Sequence, residues 1–358
     1  MYPQLLIDLG KLNKNLNVLA ELAKEGDCSL MIVTKSFCAD GRIVAEILKN
    51  DAVEYLADSR IQNIASYTEQ AHIAGKETVL LRLPMASEAE DVVRFADLSL
   101  NSEIETIRLL DQAAARQNKT HKILLMVDLG DLREGMFYQN EEAIMAVCDE
   151  ILKMGHIRLF GIGTNLTCYG AIIPKEDNLG QLAHLAERIQ SRFSTTLAMV
   201  SGGNSSSVYL IPKKQLPAGI NNLRLGEAFI LGNETAYSQR IPGTHNDGIQ
   251  LRAQIIECKD KPSLPIGEVG VDAFGEVPHY EDKGIVTRTI LAVGKQDTNP
   301  DGLMPIDPSV EILGGSSDHL LVNTTGSTYH LGDTMDFRMD YGALLKLFTS
   351  PYVTRTYR

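Results

Sequence analysis

The sequence predicts an α/β fold, a (β/α)8 TIM barrel, followed by a C-terminal all-β domain. Three observations carry that prediction. From residue 29 onward there are eight short apolar runs, seven of them separated by segments of helical period. The runs are continuously apolar rather than alternating, as parallel strands covered on both faces must be. After about residue 235 the texture changes to short strand-like runs punctuated by Pro and Gly. A length of 358 residues suits two units of this kind, since ordinary domains take about 100–200 residues and barrels lie at the large end. An open doubly wound sheet competes with the barrel, because periodicity counts strands without showing whether they close.

In chain order, LLIDL (5–9) is an apolar run, and Leu12, Leu16, Leu19 and Ala23 then recur at helical spacing up to Gly26. SLMIVTK (29–35) opens the barrel series and a helical segment follows near 41–50. YLADS (55–59) precedes a helix carrying Ile61, Ile64, Thr68 and Ala71, and TVLLRLP (78–84) precedes a short helix from Ser87. LSLNS (98–102) leads into Ile104, Ile107 and Leu110; KILLMVDLG (122–130) into Ile144, Val147, Ile151 and Met154; RLFGIGTNL (158–166) into Leu182, Leu185, Ile189 and Phe193. LAMVSGG (197–203) and NLRLGE (222–227) close the series. The barrel is expected over 1–235, with residues 1–10 a candidate strand for the second domain, and the β-domain over 236–358.

Composition narrows the function classes. With 44% hydrophobic and 22% charged residues the chain can bury a sizeable core, which excludes disordered and collagen-like classes. Acidic residues outnumber basic ones 46 to 34, a net charge of −12, and no Lys/Arg run is long enough to make a basic face, so nucleic acid is not an expected partner. No stretch of about 18 apolar residues and no signal-peptide pattern is found, so no membrane span is expected and the cytoplasm is the expected location. Five scattered cysteines, without CxxC or Cys/His ligand spacing, fit reduced thiols rather than a disulfide framework, and no metal site is expected.

In a barrel the reactive face lies at the carboxyl ends of the strands. The polar residues there are Lys35 on the first strand, Asp58 and Arg60 on the second, Arg82 in the third and Asn101 on the fourth. Asp128 and Arg133 flank the fifth, Asn165 ends the sixth, SGGNSSS (201–207) follows the seventh, and Arg224 and Glu227 belong to the eighth. A lone lysine at a strand end is ordinarily a solvated, snorkelling side chain. Its company changes the reading. A lysine dehydrated in an apolar mouth becomes a nucleophile able to form a Schiff base, and a Gly/Ser loop after strand seven lies where barrels bind phosphate. A covalent anchor, a phosphate cradle and an arginine for the ring together suit pyridoxal phosphate.

The segments LLIDLGKLNKNL, VTKSFCADG, VDLGDLREG, SGGNSSS and NLRLGEAFILG resemble the alanine racemase family of fold-type III pyridoxal phosphate enzymes, over essentially the whole chain. YLADSRIQN, NLTCYGAIIPK, PSLPIGEVGVDAFG and MDYGALLKLFTS are similar to its ornithine-racemising members. The resemblance implies a racemase that interconverts L- and D-ornithine, or a related basic amino acid, by Schiff-base formation and two-base proton transfer at Cα. It also implies a homodimer whose β-domain completes the partner's active site. By position, Lys35 becomes the Schiff-base lysine and one catalytic base. Ser205, Gly226 and Asn204, with the Tyr341 hydroxyl, hold the phosphate; Arg224 meets the pyridine nitrogen; Arg133 lies by the phenolic oxygen and the substrate carboxylate. Arginine cannot protonate the ring nitrogen as a carboxylate can, which favours rapid reprotonation and hence racemisation.

The departures are equally informative. The family's lysine two residues before the aspartate of VDLG is Met126, so Arg133 needs another orienting group, for which Asp128 is a candidate. The ring-stacking histidine of strand six is replaced by Asn165. The family's opposite-face tyrosine is absent from the region of Glu268 to Asp272; Asp318 and His319 in GGSSDHLL are the leading substitutes, with Asp272 and Glu268 behind them. Asp318, Asp297 or Glu268 could pair the second ammonium of the substrate, and Cys168 is expected to be a buried structural thiol. Two other activities fit the scaffold. A D-amino-acid aldolase or dehydratase would show paired His and Cys metal ligands near the C terminus, and a non-catalytic pyridoxal phosphate carrier would generally lack the β-domain.

Overall fold

A computed structural model describes all residues except Asp272, Glu276 and Pro278. The chain forms two compact units, Lys11–His245 and Met1–Gly10 with Asn246–Arg358. Among the described residues no helix is long and apolar enough to cross a membrane.

The first unit is a closed barrel of eight parallel strands. In order they are Ser29–Val33, Val53–Asp58, Glu77–Leu80, Leu98–Asn101, His121–Asp128, Ile157–Gly163, Met199–Ser201 and Asn222–Leu225. Each pairs with the next, and the eighth pairs with the first in the register Asn222↔Ser29 to Leu225↔Ile32. That last ladder eliminates the open sheet. Met31, Val33, Ala57, Val79, Leu98, Leu100, Leu124, Met126 and Met199 form a buried cluster from the strands. Gly161 is needed for close strand approach, because a Cβ there would lie 1.8 Å from the Met199 carbonyl oxygen.

Amphipathic helices cover the outside, as their periodicity predicts. Ile104–Arg116, for example, buries Ile107, Leu110, Ala113 and Ala114. One detail differs from the sequence expectation and one agrees with it. Strand three ends at Leu80, so Arg82 lies in the loop beyond it, where its guanidinium pairs with Glu88 at 2.6 Å. Strands seven and eight are joined through only a short 3-10 turn, Val208–Leu210, with no full helix between them.

The loops that follow strands five and six are locked together by one carboxylate. Asp131, 1% exposed, accepts from the backbone N–H groups of Thr167, Tyr169 and Ile172 at 2.9, 3.0 and 3.3 Å. Thr167 and Ala171 adopt φ of 74° and 54°, a left-handed conformation that non-glycine residues rarely take unless neighbours hold it.

In the second unit the long strand Ile249–Pro262 pairs antiparallel with Gln4–Ile7, Ile285–Leu291 and Thr334–Met339. Gln4–Ile7 also runs parallel to Thr354–Tyr357, so the amino-terminal segment is a strand of this unit. Residues 236–245 go with the barrel rather than with the second unit. Asn15, fully buried, donates to the carbonyls of Phe229 and His245 and accepts from the His245 N–H at 2.6 Å. The unit is not wholly β: Asp340 accepts from the Ala343 N–H and caps a helix, Tyr341–Thr349, whose buried face is Ala343, Leu344, Leu347 and Phe348.

Two outcomes follow from these burials. His121, the first residue of strand five, bonds Ser99 Oγ through Nε2 at 2.8 Å, and burial pushes its pKa down to about 4 from 6.5. Its contribution is complete above pH 6.5 and is lost as pH falls towards 4, so stability should drop by about 3 kcal/mol across that window. Chemical denaturation at several pH values should show a shallower slope for His121→Gln; equal slopes would refute the assignment. Asp131→Ala should lower unfolding free energy by about 3–5 kcal/mol, since three backbone donors lose a charged acceptor. A urea midpoint matching the wild type would show that the two loops do not depend on it.

Candidate active site

Buried polar atoms ordinarily find a partner, so those that do not mark places where something else binds. Of the eight side-chain atoms that are buried without a partner among the described residues, five lie at or just past the carboxyl ends of barrel strands: Ser36 Oγ, Arg82 Nε, Asn101 Oδ1, Thr164 Oγ1 and Ser206 Oγ. They come from strands one, three, four, six and seven. The barrel therefore presents a ring of unsatisfied donors and acceptors on the face where barrels carry chemistry.

Lys35 opens the short turn Lys35–Phe37 directly after strand one. Its side chain is exposed and, among the described residues, makes no hydrogen bond or ion pair. The dehydration expected from an apolar mouth is therefore not supplied by the chain's own fold at this position. The turn itself is rigid. Thr34 Oγ1 donates to Asp58 Oδ2 at 2.6 Å, and Asp58 also accepts from the Arg60 N–H and from Asn63 Nδ2. Burial raises the Asp58 pKa although those hydrogen bonds oppose it.

Strand eight brings its residues beside strand one. Arg224 pairs in register with Met31, and a Cβ on Gly226 would sit 3.2 Å from Val33 Cβ. Ser205 Oγ, buried, accepts from the Ala228 N–H at 3.1 Å, which ties the loop after strand seven to the turn at Gly226. Ser205, Ser206 and Gly226 thus converge near the Lys35 turn. Asn204 has a bracing part in the fold. Its Nδ2 donates to the Leu166 carbonyl at 3.0 Å and to Cys168 Sγ at 3.2 Å, while its Oδ1 accepts from the Ser206 N–H, so it braces two loops against each other.

Arg224 is 2% exposed and fully committed on one side: Nη1 donates to Ser201 Oγ at 2.5 Å, Nη2 to the Thr164 carbonyl at 2.6 Å and to Asn165 Oδ1 at 2.7 Å. Burial lowers its pKa to about 10, against the pull of the Glu134 charge. Asn165 Nδ2 in turn donates to Glu134 Oε1 at 2.5 Å, and Glu134 receives both Nε and Nη2 of Arg133. A continuous chain therefore runs Arg133, Glu134, Asn165, Arg224. Burial alone would raise the Glu134 pKa, but the Arg133 hydrogen bond and charge hold it below the usual carboxylate range. For Arg133 burial works against the charge, and the Glu134 contact outweighs it, so its pKa is raised.

Several sequence readings change. Arg133 is oriented by Glu134, not by Asp128, whose Oδ1 instead accepts from the Gly130 and Leu132 N–H groups and caps its own turn. Cys168 is exposed rather than buried, because it lies at the tip of the loop that Asp131 staples. Met126 is fully buried in the barrel's apolar cluster. Asp297 is 9% exposed and accepts from Ser350 Oγ at 2.6 Å, so it is not a free carboxylate for a substrate ammonium. Asp318, His319, Glu268 and Tyr341 all belong to the second unit; the first three are exposed, and Tyr341 is the first residue of its helix. Asp318 accepts from Ser317 Oγ, and His319 Nδ1 meets Ser316 Oγ at 3.3 Å. Asp272 lies outside the described residues. Glu134 and Asp131 were missed, because their roles depend on a loop that folds back at Gly135, where φ is +122° and a Cβ would lie 2.6 Å from the Asp128 nitrogen.

Comparison with known proteins agrees with this architecture. Residues 7–233 match the family model for the alanine racemase N-terminal domain. The chain is 52% identical over 357 residues to ornithine racemase of Acetoanaerobium sticklandii, covering 99% of each. It is 36% identical over 358 residues to lysine racemase of Thermotoga maritima, covering 100% of this chain and 99% of that one. Among solved structures, alanine racemase of Clostridium difficile 630 in complex with cycloserine matches with a TM-score of 0.72 at 18% identity, covering 100% of this chain and 95% of that one, a likeness of fold. With most of its barrel matched by the family model and its whole length by the curated racemases, the chain belongs to the alanine racemase family.

Proposed function

We propose that the protein is a pyridoxal phosphate-dependent racemase that interconverts L- and D-ornithine. The arrangement that carries the chemistry is the juxtaposition, across the ladder of strands eight and one, of the turn that carries exposed Lys35 with buried Arg224 and the Ser205–Gly226 turn. The substrate is read from the 52% identity to an ornithine racemase along nearly the whole of both chains.

The residues fit the cofactor. Lys35 Nζ would hold it covalently, Ser205, Ser206, Gly226 and Asn204 would hold the phosphate, the Tyr341 hydroxyl would add to it, and Arg224 would face the ring nitrogen. The unsatisfied atoms at the strand ends supply the polar surroundings that a phosphorylated, planar group needs. When bound, pyridoxal phosphate supplies the electron-withdrawing system that makes a Cα–H acidic. Arg224, a charged donor that does not hand over its proton at working pH, would meet the ring nitrogen without protonating it, which favours racemisation over other outcomes. Arg133 binds the substrate carboxylate, and its planar fork suits that anion.

Racemisation requires a proton carrier on each face of Cα. Lys35 is one. Asp318, His319 and Glu268 are exposed in the second unit and are the candidates for the other, and a carboxylate such as Asp318 could also pair the second ammonium of the substrate. The segment that carries Glu268 also has exposed apolar side chains: Ile266 is 91% exposed, Val271 68% and Val277 62%. A second copy of the chain would cover such side chains, which supports a homodimer, and in such a homodimer we assign the completion of each active site to the partner's β-domain. We place the enzyme in the cytoplasm, in keeping with five cysteines that form no disulfide among the described residues.

Purified protein should show a cofactor absorbance band. Borohydride reduction followed by peptide mapping should label Lys35, and Lys35→Ala should lose both the label and racemisation by at least about 10³-fold. L-Ornithine should give a higher kcat/KM than L-lysine or L-alanine. A label on another residue would overturn the mechanism, and a clear preference for alanine would overturn the substrate.

A further inference from the structure

We propose that Glu134 is a positioning residue for substrate recognition: its carboxylate fixes Arg133 edge-on so that the opposite edge of the guanidinium is presented to the substrate's α-carboxylate. The inference rests on the racemase reading above and adds to it a residue whose sequence context, beside the arginine it orients, gave no signal.

The geometry is specific. An arginine has five N–H donors in a planar fork. Glu134 takes the side formed by Nε and Nη2, its two oxygens each receiving one of them. That leaves both Nη1 donors and the second Nη2 donor, an end-on fork of the kind that binds a carboxylate with two parallel hydrogen bonds. Glu134 cannot swing away easily, because Oε1 is also held by Asn165 Nδ2, and Asn165 is pinned by Arg224. The loop that carries both residues is closed by the Gly135 turn and stapled by Asp131. Met126, the other position from which an orienting group could come, offers only an apolar, fully buried side chain. Glu134 side-chain exposure is 15% against 37% for Arg133, so the carboxylate forms the back wall and the guanidinium the accessible front.

The role predicts discrimination by ligand chemistry, which a merely structural role does not. Holoenzyme of Glu134→Gln and Glu134→Asp is compared with wild type, using the cofactor absorbance band to confirm folding and loading. An amide in place of the carboxylate turns one acceptor into a donor facing donors and removes the charge. In Glu134→Gln, the KM for L-ornithine and the inhibition constant of 5-aminopentanoate, which keeps the carboxylate, should each rise by about tenfold. The inhibition constant of 1,4-diaminobutane, which lacks the carboxylate, should stay unchanged, and Glu134→Asp should recover most of the loss. Equal weakening of both inhibitors, or of neither, overturns the proposal. If the wild type racemises a different amino acid, the function reading fails on its own, and the same pair of measurements, made with the deaminated and the decarboxylated forms of that amino acid, still decides the role of Glu134.

Discussion

The parallel ladder between strand eight and strand one is the contact on which the rest of the site depends. It closes the barrel, and closure is what turns eight separate strand ends into one rim. Without it Arg224 and Gly226 would sit at a free sheet edge, far in sequence from Lys35. With it, Gly226 lies against Val33, and the turn after strand one meets the turn after strand eight. Every paired position from Leu30 to Ile32 is buried, and all but Arg224, which pairs with Met31, are apolar.

On that rim, precision comes from loops rather than strands. Asp131 gathers three N–H groups of the following loop, and Asn204 reaches across to the same segment from strand seven. The polar chain from Arg133 to Arg224 then runs along the stapled edge. Two cations with one anion between them, Arg133 held by Glu134 directly and Arg224 through the single amide of Asn165, form a network whose members satisfy one another, the condition under which buried polar groups add rigidity instead of cost. The partially exposed end of the network, Arg133, is the end that must remain available to a ligand.

The strands were legible because continuous apolar runs have few alternative uses in a chain of this polarity, and the strand-end residues were legible because barrels confine chemistry to one face. Lys35, Ser205, Arg224 and Gly226 all fall where that rule puts them. The bracing residues were not legible. Glu134 adjoins Arg133 in sequence, and neighbours i and i+1 pair only when a loop reverses, which is a property of Gly135 and of the left-handed Leu132 rather than of either charge. Cys168 was assigned to the interior on the habits of its residue type, and the loop's stapling placed it outside. The helix at 341–349 was hidden by LLKLF, an apolar run that reads equally as a strand until Asp340 is recognised as its cap.

The substitution of Met126 and the presence of Glu134 are two sides of one electrostatic choice. An ionic group at position 126 would have to live among Val33, Leu124 and Met199, where desolvation costs several kcal/mol per charge unless it is fully paired. An anion on the loop at Glu134 avoids that burial and keeps contact with solvent. It also changes the field at the mouth. Arg133 and Arg224 together carry two positive charges, and a substrate with two ammonium groups would meet them at about 1 kcal/mol per close pair in water, and about 4 kcal/mol at the effective dielectric near a protein surface. Glu134 cancels one of those charges while leaving the donors of Arg133 pointed outward. A dicationic amino acid can then dock its carboxylate on an arginine without its side-chain ammonium facing an uncompensated pair of cations.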